Sequence, residues 1–256
     1  CRSGVTLLVL AALVLWQRDS LRLSRQTWGW QLVLGLLIAV QSFCIYSAVA
    51  RIPVGLALLV VNLSPILLAL LTWALGGPAP TRRAALIMGV ILFGLVLVLD
   101  VPARLAGPGV IDERWVEGVL FSLTAAAVFA VALWITEHRL SAMPGRVRSM
   151  LTMAVVFSAS ALAGASGALP GGLGLPNALG GWLALAVLVL LYGTAFSLLF
   201  ILMPRLDIAR NAPVMNMEPV AGMLFGWLIL GQLLGALQVV GGMIVVGGII
   251  ALAYRR

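Results

Sequence analysis

The sequence predicts an all-α polytopic membrane protein, an inverted repeat of five-helix units with nine transmembrane helices present and the first of ten missing. Three observations predict it: long apolar blocks, a self-similarity at a shift of 154 residues, and arginines that crowd into alternate loops. Hydrophobic residues fill 62% of the 256 positions and charged residues 9%; mean hydropathy is +1.15. A soluble domain of this size needs a largely polar exterior, which this composition does not supply.

The apolar blocks run over residues 4–16, 28–49, 54–75, 84–99, 116–135, 150–169, 182–203, 212–230 and 233–254. A helix rising ~1.5 Å per residue needs roughly 20 apolar residues to cross the ~30 Å hydrocarbon core. The first block is short and the fourth borderline. Barrel strands alternate apolar and polar residues over about 10 positions, whereas these blocks are continuous, so helices are predicted.

Every basic residue is an arginine, and 12 of the 16 fall in alternate loops or at the C-terminus: Arg18, Arg22, Arg25, Arg82, Arg83, Arg139, Arg146, Arg148, Arg205, Arg210, Arg255 and Arg256. The opposite side holds Arg2, Arg51, Arg104 and Arg114, with Asp112 and Glu113. Arginine is retained in the cytoplasm during insertion, which predicts an inner-membrane protein with a cytoplasmic C-terminus. The pI of 11.2 does not signal nucleic acid, because the arginines are dispersed over loops and no binding motif accompanies them. Two cysteines, one of them Cys44 within a span, make no disulfide framework.

The 154-residue shift pairs Trp28 with Trp182, Arg51 with Arg205, Asn62 with Asn216, Pro65 with Pro219, Trp73 with Trp227 and Gly94 with Gly248. The first repeat is placed at 1–101, a connecting loop at 102–115 and the second repeat at 116–256. A unit of five helices is odd-numbered, so its copies insert in opposite orientations, as in many secondary transporters. The same shift carries block 116–135 to positions ahead of residue 1, so one helix is expected upstream. A ten-helix parent also places both ends in the cytoplasm.

Polar groups within hydrocarbon are costly and mark function. Glu218 lies six residues past the start of its block and precedes Pro219, which removes a backbone bond and frees the Met215 carbonyl. Pro65 does the same for Val61, beside Asn62 and Ser64. Interrupted backbone at membrane depth is tolerated where protein or a wet cavity satisfies it. Substrate-binding or coupling candidates are therefore Glu218, Asn216, Asn62 and Ser64, with Pro65 and Pro219 as helix breaks. Structural bonding between helices is the alternative for the two asparagines and Ser64. A carboxyl removed from water holds its proton more readily, so Glu218 is also the candidate for proton coupling.

Further candidates are Gln41 and Tyr46, on one face with Ser42, and Tyr192 and Ser197 in the matching later block. Trp16, Trp28, Trp134 and Trp182 are expected to anchor span ends, and Trp73 and Trp227 to pack. Gly241, Gly242, Gly247 and Gly248, with Gly89 and Gly94, are expected to bring helices close together. Glu137-His138 reads as a solvated helix end. With a single histidine and no second carboxylate at ligand spacing, no metal or cofactor is expected.

The run Asn216-Met217-Glu218-Pro219, leading through Gly222 and Trp227 to Leu230-Gly231-Gln232, resembles the signature near the end of EamA-type proteins of the drug/metabolite transporter superfamily. Arg51-Ile52-Pro53 followed by Asn62-Leu63-Ser64-Pro65 resembles the matching region of their first repeat, and Arg2 the arginine that opens their second helix. The resemblance implies a ten-helix inverted-repeat fold and export of amino acids or other small metabolites. The stretch Met217-Glu218-Pro219 is similar to the amino-acid exporter branch. Gln232 departs from the family, which often has Glu there.

The expected function is therefore secondary active export of a small metabolite by alternating access, by a monomer or homodimer in contact with membrane lipid. An intramembrane lipid-modifying enzyme needs clustered metal- and phosphate-binding groups at one face; the eight acidic residues are scattered instead. A membrane scaffold without transport needs no carboxylate inside a span.

Overall fold

The computed structural model describes residues 2–16, 25–99, 112–167, 176–202, 218–233 and 235–253. They form ten helical segments: α1 (Arg2–Trp16), α2 (Arg25–Val49), α3 (Val54–Val61), α4 (Ser64–Ala74), α5 (Arg82–Val98), α6 (Glu113–His138), α7 (Gly145–Ala165), α8 (Leu179–Leu202), α9 (Glu218–Leu230) and α10 (Ala236–Ala253). Because α3 and α4 share one apolar stretch, Val54–Ala74, each of the nine predicted blocks holds helix. Among the described residues four stretches are long and apolar enough to cross a membrane: Thr27–Val49, Val54–Ala74, Glu113–His138 and Gly145–Ala165. The helix expected from residue 150 starts earlier, at Gly145, after extended backbone at Pro144 (φ −55, ψ 130). Arg146 and Arg148 thus extend the helix beyond its apolar part, since a charge at a span end does not interrupt backbone bonding.

The turns close by local chemistry. The Thr81 hydroxyl accepts from the Ala84 amide at 3.2 Å and caps α5. Gly235 ahead of α10 has no side chain to cap with, and the Gln238 side chain instead reaches back to its amide at 2.9 Å. At the end of α4, Gly76 takes φ +89. There the Gly76 and Gly77 amides donate to the Trp73 and Thr72 carbonyls, the Schellman pattern that only a residue tolerant of left-handed backbone completes cheaply.

The chain divides into two compact units, each described here by itself. One comprises Cys1–Ala39 and Ala132–Asp207, the other Val40–Val131 and Ile208–Arg256. Each draws on both ends of the sequence, so compact units and sequence repeats are different partitions of the chain.

In the first unit α1 packs on α7 and α8. Gly4 admits the Phe157 ring, which a Cβ would meet at 3.0 Å, and Gly35 of α2 lies against the Val155 side chain of α7. Buried Gln31 donates to the Thr152 hydroxyl at 2.9 Å and to the Arg148 carbonyl at 3.2 Å. Trp134 stacks on His138, with ring centroids 4.8 Å apart, and Arg139 lies 5.1 Å from the centre of the Trp30 ring. Glu137 and His138 are exposed at the end of α6, consistent with a solvated helix end.

In the second unit α5 and α10 form the most extensive helix pair. A Cβ at Gly241 would lie 2.6 Å from the Gly94 carbonyl oxygen and 2.7 Å from the Val98 nitrogen, so the backbones themselves touch. Gly248 is filled by Ile91, and Gly242 by Met223 and Leu59. The expectation fails for Gly89 and Gly247, which have no described atom within 4 Å of a Cβ. Both lie on helix faces turned away from the seam. Trp73 and Trp227 are likewise exposed, not packed. The core beneath joins Leu56, Leu59, Val60, Ile91, Val98 and Val245.

Candidate functional site

The predicted break in the first half is present and small. Asn62 (φ −69, ψ 3) ends α3 and Leu63 precedes α4, which opens on Ser64-Pro65. Proline has no amide to donate, so the ladder passes through three-residue bonds, Leu63 N to Val60 O and Ile66 N to Leu63 O, at 3.0 and 2.9 Å. The Asn62 side-chain nitrogen donates 2.9 Å to the Leu58 carbonyl of its own helix. That is a structural bond within one helix, neither a substrate contact nor the bonding between helices weighed above as the alternative. Ser64 is buried in the core.

The later counterpart, α9, opens on Glu218-Pro219, 154 residues after Ser64-Pro65. Asn216 lies outside the described residues, as do the side chains of Glu218, Pro219 and Ser197. The backbone register is nevertheless defined. A Cβ at Gly55 of α3 would meet Met223 of α9 at 2.6 Å, and one at Gly222 would meet Leu58 at 2.5 Å. Later residues of α3 thus face earlier residues of α9, and the helices are antiparallel. One further turn along both runs toward Asn62 on α3 and toward Glu218, the first described residue of α9.

The seam is fixed at its other end by Gln232, whose Oε1 accepts from the Val54 amide at 3.2 Å. Pro53 precedes α3 and makes no side-chain cap, so Gln232 supplies the missing acceptor from the turn after α9. Nearby, Arg51 pairs with Glu117 at 2.7 Å, donates to the Ser47 carbonyl at 2.9 Å and lies 4.9 Å from the Phe121 ring centre. Arg51 therefore clasps the α2–α3 turn to α6.

The remaining described candidates are divided between the two units. Gln41 is half-buried and Tyr46 exposed on α2 of the second unit. On the same helix Cys44 packs with Val61 and Ala125. Tyr192 is half-buried on α8, in the first unit. Sequence reasoning passed over Gln31, whose Oε1 is buried without a hydrogen-bond partner. A signal was available: a glutamine a turn inside a span has to find donors or acceptors on a neighbouring helix. Among the described residues no cluster of metal-ligating side chains occurs.

Apolar spans, helix pairs seamed through glycine and a span interrupted at Asn62–Ser64 define a multi-pass α-helical membrane protein. The EamA-like transporter family matches residues 1–100 and 116–254, and the chain belongs to that family. Its function is accordingly membrane transport of a small molecule, and the family is not one of enzymes. No curated protein matches significantly. One solved crystal structure, described only as that of a protein, superposes with a TM-score of 0.62 at 24% identity. The match covers 99% of this chain and 84% of that one, and the likeness is one of fold.

Proposed function

We propose that the chain forms most of a secondary active exporter of small metabolites, amino acids foremost, which works by alternating access of two inverted repeats and is driven by protons through Glu218. The observation that carries the reading is the α3–α9 register, which brings Glu218, an acidic residue more than a turn inside its apolar block, toward the level of the break at Asn62. An acid beside interrupted backbone can exchange both a proton and a polar substrate without exposing either to lipid.

The repeats are taken as 1–101 and 116–256, joined by 102–115. Helix starts support them: α5 and α10 begin at 82 and 236, 154 residues apart. Contacts support them too, because the Gly94–Val245 pair and the Ile91–Gly248 pair exchange under the same shift. That exchange is what a twofold relation between α5 and α10 requires. Carried to five helices, the repeat calls for one helix ahead of α1. The arginine distribution supports a cytoplasmic C-terminus in the inner membrane.

The test is flux in vesicles reconstituted with the full-length protein under an imposed pH gradient, using a panel of labelled amino acids. Gradient-driven flux that disappears in Glu218→Gln upholds the reading. Flux that survives the substitution removes Glu218 as the coupling group, and flux indifferent to the gradient removes proton coupling altogether.

A further inference from the structure

The outer face of α5 carries two adjoining hollows apart from the helix break at Asn62. Ala84, Met88, Ile91, Leu95 and Val98 form the buried stripe of this helix, and Arg82, Ala85, Leu86, Gly89, Val90 and Phe93 form an exposed one. Along the exposed stripe runs a furrow of about 680 Å³ with Arg82 at one end. It adjoins a second hollow of about 440 Å³ between α4 and α5, walled by Leu70, Trp73, Met88 and Leu92. Ala85 and Gly89 belong to both, and the missing side chain at Gly89 makes the notch that joins them. Neither Arg82 nor Arg83 has an acidic partner among the described residues.

We propose that this furrow binds an anionic phospholipid, with one acyl chain lying along Gly89 and the phosphate held by Arg82 and Arg83. Length supports the assignment. From Arg82 to Phe93 the helix rises ~16 Å, close to half of a ~30 Å hydrocarbon core, which is the depth of one leaflet. Charge supports it as well: the arginines stand at one end of an otherwise apolar channel, the arrangement of an anionic head and its tail. Guanidinium groups match phosphate oxygens in paired hydrogen bonds, and basic residues at span ends select anionic headgroups. A second copy of the chain fits less well. A twofold axis along the membrane normal places equal depths opposite each other, so Arg82 and Arg83 would face their own images.

The experiment places the full-length protein in phosphatidylcholine nanodiscs doped with photoactivatable phosphatidylglycerol, the reactive group on the acyl chain. Crosslinks are mapped by mass spectrometry, with photoactivatable phosphatidylcholine as the parallel probe. Phosphatidylglycerol is expected to label the α4–α5 furrow about tenfold more than phosphatidylcholine. Arg82→Gln with Arg83→Gln should bring the two probes level. Gly89→Trp should displace both from the notch; no described atom lies within 4 Å of its Cβ, so the helix has room for the change. Equal labelling by the two lipids in the unaltered protein overturns the proposal, as does labelling that ignores the arginine changes. So does a loss of dimer in Gly89→Trp with labelling unchanged, which would make the furrow an interface between copies.

Discussion

The two halves of the chain build the same stretch of helix and furnish it differently. At the start of α4 stands Ser64, and at the matching start of α9 stands Glu218, each followed by proline. Proline sets the backbone in both places, because any helix loses a donor there. Ser64 is buried and serves the core. Only the second half has an acid at this position, so whatever chemistry needs a charge there is done once. A duplicated scaffold fixes where a polar residue can stand, and later divergence decides which copy keeps one.

That contrast is sharpened most by making the halves alike. Glu218→Ser should bring gradient-driven flux in vesicles down to background, whereas Ser64→Ala should keep most of it. Equal losses in the two variants would mean that both breaks act through backbone shape alone.

A second, smaller asymmetry lies in the α5–α10 seam. A Cβ at Gly94 would meet the Gly241 carbonyl oxygen at 3.0 Å and Ile244 at 2.8 Å, while one at Gly248 would meet the Ile91 side chain, its Cγ1 nearest, rather than backbone. Gly94→Ala should therefore cost about 1–3 kcal/mol as helices are forced apart. Gly248→Ala should cost less, because a side chain yields more readily than backbone. Thermal unfolding in detergent reads both, and a reversed order would show that α10 adjusts where α5 does not. The helix starts should differ least. Thr81→Ala removes a cap worth roughly 1 kcal/mol, and Gln238→Ala removes a weaker reciprocal bond worth about 0.3 kcal/mol or more.

Much of this architecture was legible because hydropathy and helix period are properties of the chain itself. The nine blocks each hold a helix, and Gly94, Gly241 and Gly248 meet where a helix seam was expected. What could not be read depends on which neighbour a face meets. Gly89 and Gly94 lie five residues apart on one helix, yet one opens on a furrow and the other lies under a backbone. Asn62 looked like a group pointing at substrate, but its amide nitrogen bonds the carbonyl a turn behind it. Gln31 was hidden because a polar residue near a span end resembles an interfacial one until α7 is placed beside it.

Gln232 carries a consequence for energetics. A carboxylate on the first amide of α3 would hold it more strongly than an amide does, and would loosen when protonated. The neutral side chain found there grips the Val54 amide equally on the acidic and alkaline sides of an energised membrane. The α3–α9 seam is thus held alike whatever the pH on either side of the membrane.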